Sequence, residues 1–104
     1  MCFNRLILFI ALLFGMCLNA NTAPDKPGQA TYEHFCIACH QDGVAGAPKI
    51  HDERDWKPRL SNKTIEDLVS SATKGLNNMP AQGTCSECDE GELKATIEYM
   101  LPKS

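Results

Sequence analysis

Positive charge is scarce in this chain. Its 10 Lys and Arg stand against 13 Asp and Glu, a net of −3 over 104 residues. A nucleic-acid binder needs a basic face to offset phosphate, so that class is excluded. No stretch alternates apolar and polar residues at the period of a strand, which points away from sheet folds. No internal repeat and no low-complexity tract is present. Nor does any apolar run reach the roughly 20 residues that a spanning helix wants. The longest, Leu6 to Leu18, stops short of that. A chain this small rarely draws more than a few kcal/mol from its own side chains, so staples are expected.

The chain does contain an export pattern. Arg5 precedes the apolar run, and small and polar residues from Asn19 to Ala23 follow it. That is the layout of a secretory signal peptide, residues 1–20, with cleavage after Ala20 or Ala23. Met16 stands where a small residue would precede a lipidated cysteine, so Cys17 is not read as a lipid anchor. Cys2 and Cys17 leave with the leader. The exported part, residues 24–104, is one domain. Without Arg5 it keeps nine Lys and Arg against thirteen acids, a net of −4. The expected location is the periplasm.

The mature part holds Cys36-Ile37-Ala38-Cys39-His40, a C-x-x-C-H run. This spacing is the attachment site of a c-type haem. Two thiols one helical turn apart can each add to a vinyl group of one porphyrin, and the adjacent imidazole is delivered to one face of the iron. Half of a zinc site, a redox-active pair and a structural disulfide are the competing readings of the two cysteines. A covalent porphyrin, a large apolar body, also answers the need for a staple.

Helices joined by loops are expected around it. One spans roughly 28–38, with Gly28, Tyr32 and Cys36 on one face and Phe35 and Cys39 beside them. A second lies near 63–74, where Ile65, Leu68, Val69 and Ala72 take the i, i+3, i+4, i+7 places and Gly75 supplies the stop. A third begins after Asp89, with Glu92 completing a D-x-x-E capping box, and buries Leu93, Ile97, Met100 and Leu101. Between Val44 and about Leu60 the mixed charges read as a long irregular stretch.

For the second iron ligand the candidates are His34, His51, Met79 and Met100. Met100 sits on an apolar stripe and reads as core. His34 lies within the attachment helix and would have to bend round the porphyrin edge. His51 is followed by Asp52 and Glu53, which makes its segment read as solvated. Met79 lies in a polar loop, fixed by Pro80 and flanked by Gly75 and Gly83, with no packing reason to be there. It is the expected ligand.

Together these residues resemble the class I c-type cytochromes, most closely the cytochrome c5 group. The likeness covers Gly28-x-x-x-Tyr32, Cys36-x-x-Cys39-His40, Gly46-Ala47-Pro48, Gly75-x-x-x-Met79-Pro80 and the last helix. The Gly83-Thr84-Cys85-Ser86-Glu87-Cys88 segment marks the narrower group. The resemblance implies an all-α fold, with helices and loops wrapped around one covalent haem c held between His40 and Met79. It also implies that the Pro48 carbonyl accepts the proton of the unligated His40 nitrogen, and that Trp56 and Arg59 steady a haem propionate.

A second haem at Cys85 and Cys88 would need histidine at 89, where Asp89 stands, so one haem is expected. Acidic neighbours disfavour an activated thiolate there. A four-cysteine zinc site with Cys36 and Cys39 would need a much longer spacer than usual. In an exported chain the pair then reads as a structural disulfide.

With both axial positions filled by protein, no open site is left for a substrate, and the chain is not expected to be an enzyme. One-electron exchange remains, with a thioether favouring the reduced state. The expected role is a soluble carrier whose partners are redox proteins, membrane respiratory complexes among them, docking transiently near the haem edge. A haem-based sensor and a dedicated subunit of a larger dehydrogenase are the competing classes.

Overall fold

A computed structural model describes residues 26–103. The expected signal peptide, Cys2 and Cys17 lie outside the described residues. The elements, in chain order, are α1 (Gln29–Thr31), a π-helical segment (Tyr32–Cys36), α2 (Ile37–His40), a 3-10 turn (Val44–Gly46), α3 (Glu53–Leu60), α4 (Ile65–Lys74) and α5 (Glu90–Met100). Among the described residues no strand forms, and a single β-bridge pairs Leu76 with Met79. The all-α expectation holds.

The first three elements make one continuous helical run, longer than the expected 28–38 and widened in the middle. In that wider turn the Ile37 N–H bonds to the Tyr32 carbonyl, five residues back. Widened turns of this kind recur at functional sites. Here it ends on Cys36, the first residue of the cysteine pair.

The run crosses α5 at Gly28, whose φ of +79° and missing side chain let it lie against the backbone of Ala95 and Thr96. Tyr32 is buried there, its ring 5.5 Å from that of Tyr99.

Two helix starts follow their capping residues. Thr64 Oγ1 accepts from the Asp67 N–H at 3.2 Å while the Asp67 carboxylate accepts from the Thr64 N–H at 2.9 Å, a reciprocal box. Asp89 accepts from the Glu92 N–H at 2.8 Å. The return bond expected from Glu92 is absent among the described residues, so this cap is one-sided. α4 contributes Val69 and Ala72 to the core, and α5 contributes Leu93, Ile97 and Met100. Thr96, also buried on α5, returns its hydroxyl to the Glu92 carbonyl at 2.7 Å.

The stretch expected to be irregular contains α3 instead. Asp52 caps it, accepting from the N–H groups of Arg54 and Asp55, and Pro58 stands within its final turn. A cap, two acidic residues in the first turn and two basic ones in the last favour this helix. It buries one side chain, Trp56, and so carries no apolar stripe to betray it.

His51 also departs from expectation. Its N–H donates to the Met100 carbonyl at 2.8 Å, and its Nε2 meets the Tyr99 carbonyl at 2.8 Å. The segment is docked on the end of α5 rather than left in solvent.

Candidate haem site

The helices and loops enclose a cleft of about 780 Å³, within the roughly 300–1,000 Å³ of small-molecule sites. Cys36, Cys39 and His40 line it, together with the Met79 loop and the apolar side chains of Leu93, Ile97 and Met100 on α5. Pro48, Trp56 and Arg59 also border it. His34 and His51 do not.

His40 is buried, and its Nδ1 meets the Pro48 carbonyl at 2.8 Å. With Nδ1 taken, Nε2 is the nitrogen left to ligate, and the tautomer is fixed by the bond. The Pro48 carbonyl is itself held in place by α3. Lys49, the next residue, donates its N–H to the Asp55 carboxylate at 3.0 Å, and its carbonyl accepts from the Trp56 indole at 2.9 Å. The Lys49 ammonium adds a 3.2 Å ion pair to Asp55. These bonds from the Lys49 N–H and ammonium hold the Asp55 carboxyl below its ordinary range. Trp56 also lies nearly parallel to the His40 ring, 14° between planes with centroids 6.5 Å apart. The sequence reading missed this bracket, because Asp55 and Lys49 are far from remarkable as isolated letters; a D-x-x-D-W run after a loop was its faint signal.

Arg59 donates through Nη1 to the Asp55 carbonyl at 2.6 Å and through Nη2 to the Gly46 carbonyl at 2.9 Å. It therefore ties α3 to the turn after His40.

Cys36 and Cys39 form no disulfide, neither with each other nor with another cysteine of the described chain. Burial pushes the Cys36 thiol above its ordinary value, and the neighbouring Cys39 adds to this. The donor set suits a covalent porphyrin: two unpaired cysteines beside a cleft with an apolar lining, and an imidazole fixed by its second nitrogen.

In the same cleft lining, Leu76 and Met79 exchange both backbone hydrogen bonds, at 3.0 and 2.9 Å, closing a tight turn through Asn77 and Asn78. The half-buried Met79 side chain lies over Gly83, where a Cβ would meet its Cε at 3.8 Å. Gln82 anchors the loop: its N–H donates to the Ala72 carbonyl at 2.7 Å and its Nε2 to the Cys88 carbonyl at 3.1 Å. Cys85 and Cys88 are buried and bonded to each other, Sγ–Sγ 1.98 Å, at the start of α5. Cys36 and Cys39 are not joined with them.

Comparison with known proteins points the same way. The family model described as cytochrome C oxidase, cbb3-type, subunit III matches residues 23–100. Cytochrome c5 of Azotobacter vinelandii is 40% identical over 76 residues, 72% of this chain and 92% of that one. Cytochrome c-555 of Chlorobaculum tepidum is 35% identical over 90 residues, covering 83% of this chain and 82% of the relative. A mono-haem ferrocytochrome c from Shewanella putrefaciens superposes with a TM-score of 0.63 at 45% identity, over 75% of this chain and 95% of that one. The cytochrome c solved in an electron transfer complex with nitrite reductase gives 0.66 at 36% identity, over 75% and 94%. The protein carries a single covalently bound haem c and is a small electron carrier. The chain belongs to the class I c-type cytochromes and stands close to cytochrome c5.

Proposed function

We propose that the protein is a soluble periplasmic one-electron carrier whose haem is attached through Cys36 and Cys39 and ligated by His40 and Met79. The haem supplies the couple between ferrous and ferric iron. His40 offers Nε2 while the Pro48 carbonyl fixes its ring. Met79 offers a neutral thioether, which favours the reduced state. The loop carrying it is pinned through Gln82 to α4 and to Cys88 ahead of α5, so little moves when the charge on the iron changes. Trp56, expected to steady a propionate, has its one donor spent on the Lys49 carbonyl and walls the His40 side instead. Arg59, which has five donors in all, keeps some for a propionate. The Cys85–Cys88 disulfide secures the junction of the Met79 loop with α5. The export signal read at residues 1–20 supports the periplasm. No helix among the described residues is long and apolar enough to cross a membrane.

Phe35, Val44 and Leu76 are the exposed large hydrophobics of the described chain, and all three border the cleft. They form an apolar rim on which a redox partner can dock briefly. The nitrite reductase complex of a similar cytochrome supports redox proteins as partners, and membrane respiratory complexes are proposed among them.

The observation that carries the reading is that two fixed ligand segments, those of His40 and Met79, line one cleft. His51 is engaged by Tyr99 and does not border the cleft, which favours Met79. The oxidised protein is expected to show the weak near-infrared sulfur-to-iron band. Met79→Ala should abolish it, while Met100→Leu and His51→Ala should keep it. Persistence of the band in Met79→Ala would overturn the ligation. Ready carbon monoxide binding by the undamaged ferrous protein would favour a sensor over a carrier.

A further inference from the structure

The Met79 loop reaches across the cleft twice. Asn78 Nδ2 donates to the Ala45 carbonyl at 3.1 Å, and Thr84 Oγ1 donates to the Phe35 carbonyl at 2.9 Å. Their positions in the chain form a pattern. Asn78 stands immediately before Met79, and Thr84 follows it by five residues. Phe35 stands immediately before Cys36, and Ala45 follows His40 by five residues. The two bonds thus bracket both ligand segments, one on each flank, and all four residues border the cleft. The loop's third side-chain tie, Gln82 to Cys88, runs to the α5 side instead. Asn78 and Thr84 are exposed, so packing gives neither a reason to be there.

We infer that Asn78 and Thr84 are positioning residues that clasp the Met79 limb to the limb carrying Cys36 and His40, and so set how often Met79 swings away from the haem. The inference rests on the proposed ligation by Met79. An external ligand reaches that face only when the 76–84 loop lifts off. Lifting it breaks both clasps together with the Gln82 bonds to Ala72 and Cys88, so each clasp adds to the cost of opening. Each clasp is a neutral hydrogen bond open to water, so it lowers the open fraction by roughly two- to fivefold. Together the two multiply to roughly four- to twenty-five-fold where they act independently.

The test is stopped-flow binding of imidazole to the ferric holoprotein, with the near-infrared band recorded before mixing. Asn78→Asp keeps the size but removes the donor; Thr84→Val keeps the shape but removes the hydroxyl. Each should raise the imidazole binding rate roughly two- to fivefold, and the double variant by the product. Exchange of the Met79 amide hydrogen should quicken in parallel, and Thr84→Ser should return to the unmodified rate. An unchanged rate in the double variant, with the band intact, would overturn the clasp. So would an equal rise in Thr84→Ser and Thr84→Val, which would assign the effect to packing. Absence of the band in the unmodified protein would overturn the ligation instead, and the clasp with it.

Discussion

Gly28→Ala should be the most damaging single methyl group in this protein. A Cβ at that position would stand 2.3 Å from the Ala95 carbonyl oxygen, 2.4 Å from its carbon and 2.6 Å from Thr96 Cα. All three are backbone atoms inside α5, so no side-chain rotation can relieve the clash. The helical run and α5 would have to separate, loosening the Tyr32–Tyr99 contact and the burial of Ile97. Gly28 also has a φ of +79°, where an L-residue costs roughly 1–2 kcal/mol. Overpacking adds typically 1–3 kcal/mol, and a rigid obstacle argues for the upper part of that range. The expected total is about 3–5 kcal/mol, out of the roughly 5–15 kcal/mol that hold such a domain. Gly46→Ala separates the two terms. Gly46 has a φ of +85° but nothing within 4 Å of the added methyl, so it should cost only about 1–2 kcal/mol. Urea unfolding of both holoproteins, followed by far-ultraviolet circular dichroism, measures the difference. At roughly 4–8 °C per kcal/mol, Gly28→Ala should also melt about 10–20 °C below Gly46→Ala. If the two variants agreed within about 0.5 kcal/mol, the close crossing at Gly28 would not be what joins the first helical run to α5.

Replacing Cys85 and Cys88 together by Ser should cost about 1–3 kcal/mol, because a bridge closing so short a loop restricts the unfolded chain only modestly. The haem spectrum should survive, and mass analysis of the unmodified protein should find two hydrogens fewer than the dithiol; native alkylation of both sulfurs would contradict this. Asp55 and Asp67 are held below the ordinary Asp value near 3.8, first by the backbone N–H groups of Lys49 and Thr64 respectively. A lowered folded-state value adds stability that is present above the unfolded value and is lost as pH falls through the folded one. Stability should therefore decline as pH drops below about 4, less steeply in Asp55→Asn, and high salt should weaken the difference. An Asp55→Asn slope equal to that of the unmodified protein between about pH 5 and pH 3 would contradict the Lys49 bracket.

Local chemistry explains which parts were legible. Cys36, Cys39 and His40 declare themselves because their spacing is itself the chemistry. The helices at Ile65–Lys74 and Glu90–Met100 declare themselves because each buries an apolar face against the other and starts at a capping side chain. α3 stayed hidden since it buries Trp56 alone. Its stability comes from its cap, its charges and the bonds that Asp55 and Trp56 make to Lys49, and none of these leaves a periodic trace. His51 was misread for a related reason. Its partners are the Tyr99 and Met100 carbonyls, nearly fifty residues away, and the acidic residues beside it say nothing of them.

The sequence alone therefore determined the cofactor chemistry, the helical class and the candidate ligands, since each depends on residue identity and near spacing. Tertiary structure decided how those residues are held: Lys49 bracketed by α3 so that Pro48 faces His40, Gly28 pressed to α5, and Asn78 and Thr84 spanning the cleft. Backbone carbonyls take part in every one of these contacts. A carbonyl carries no letter of its own in the sequence, so only the folded chain reveals where it points.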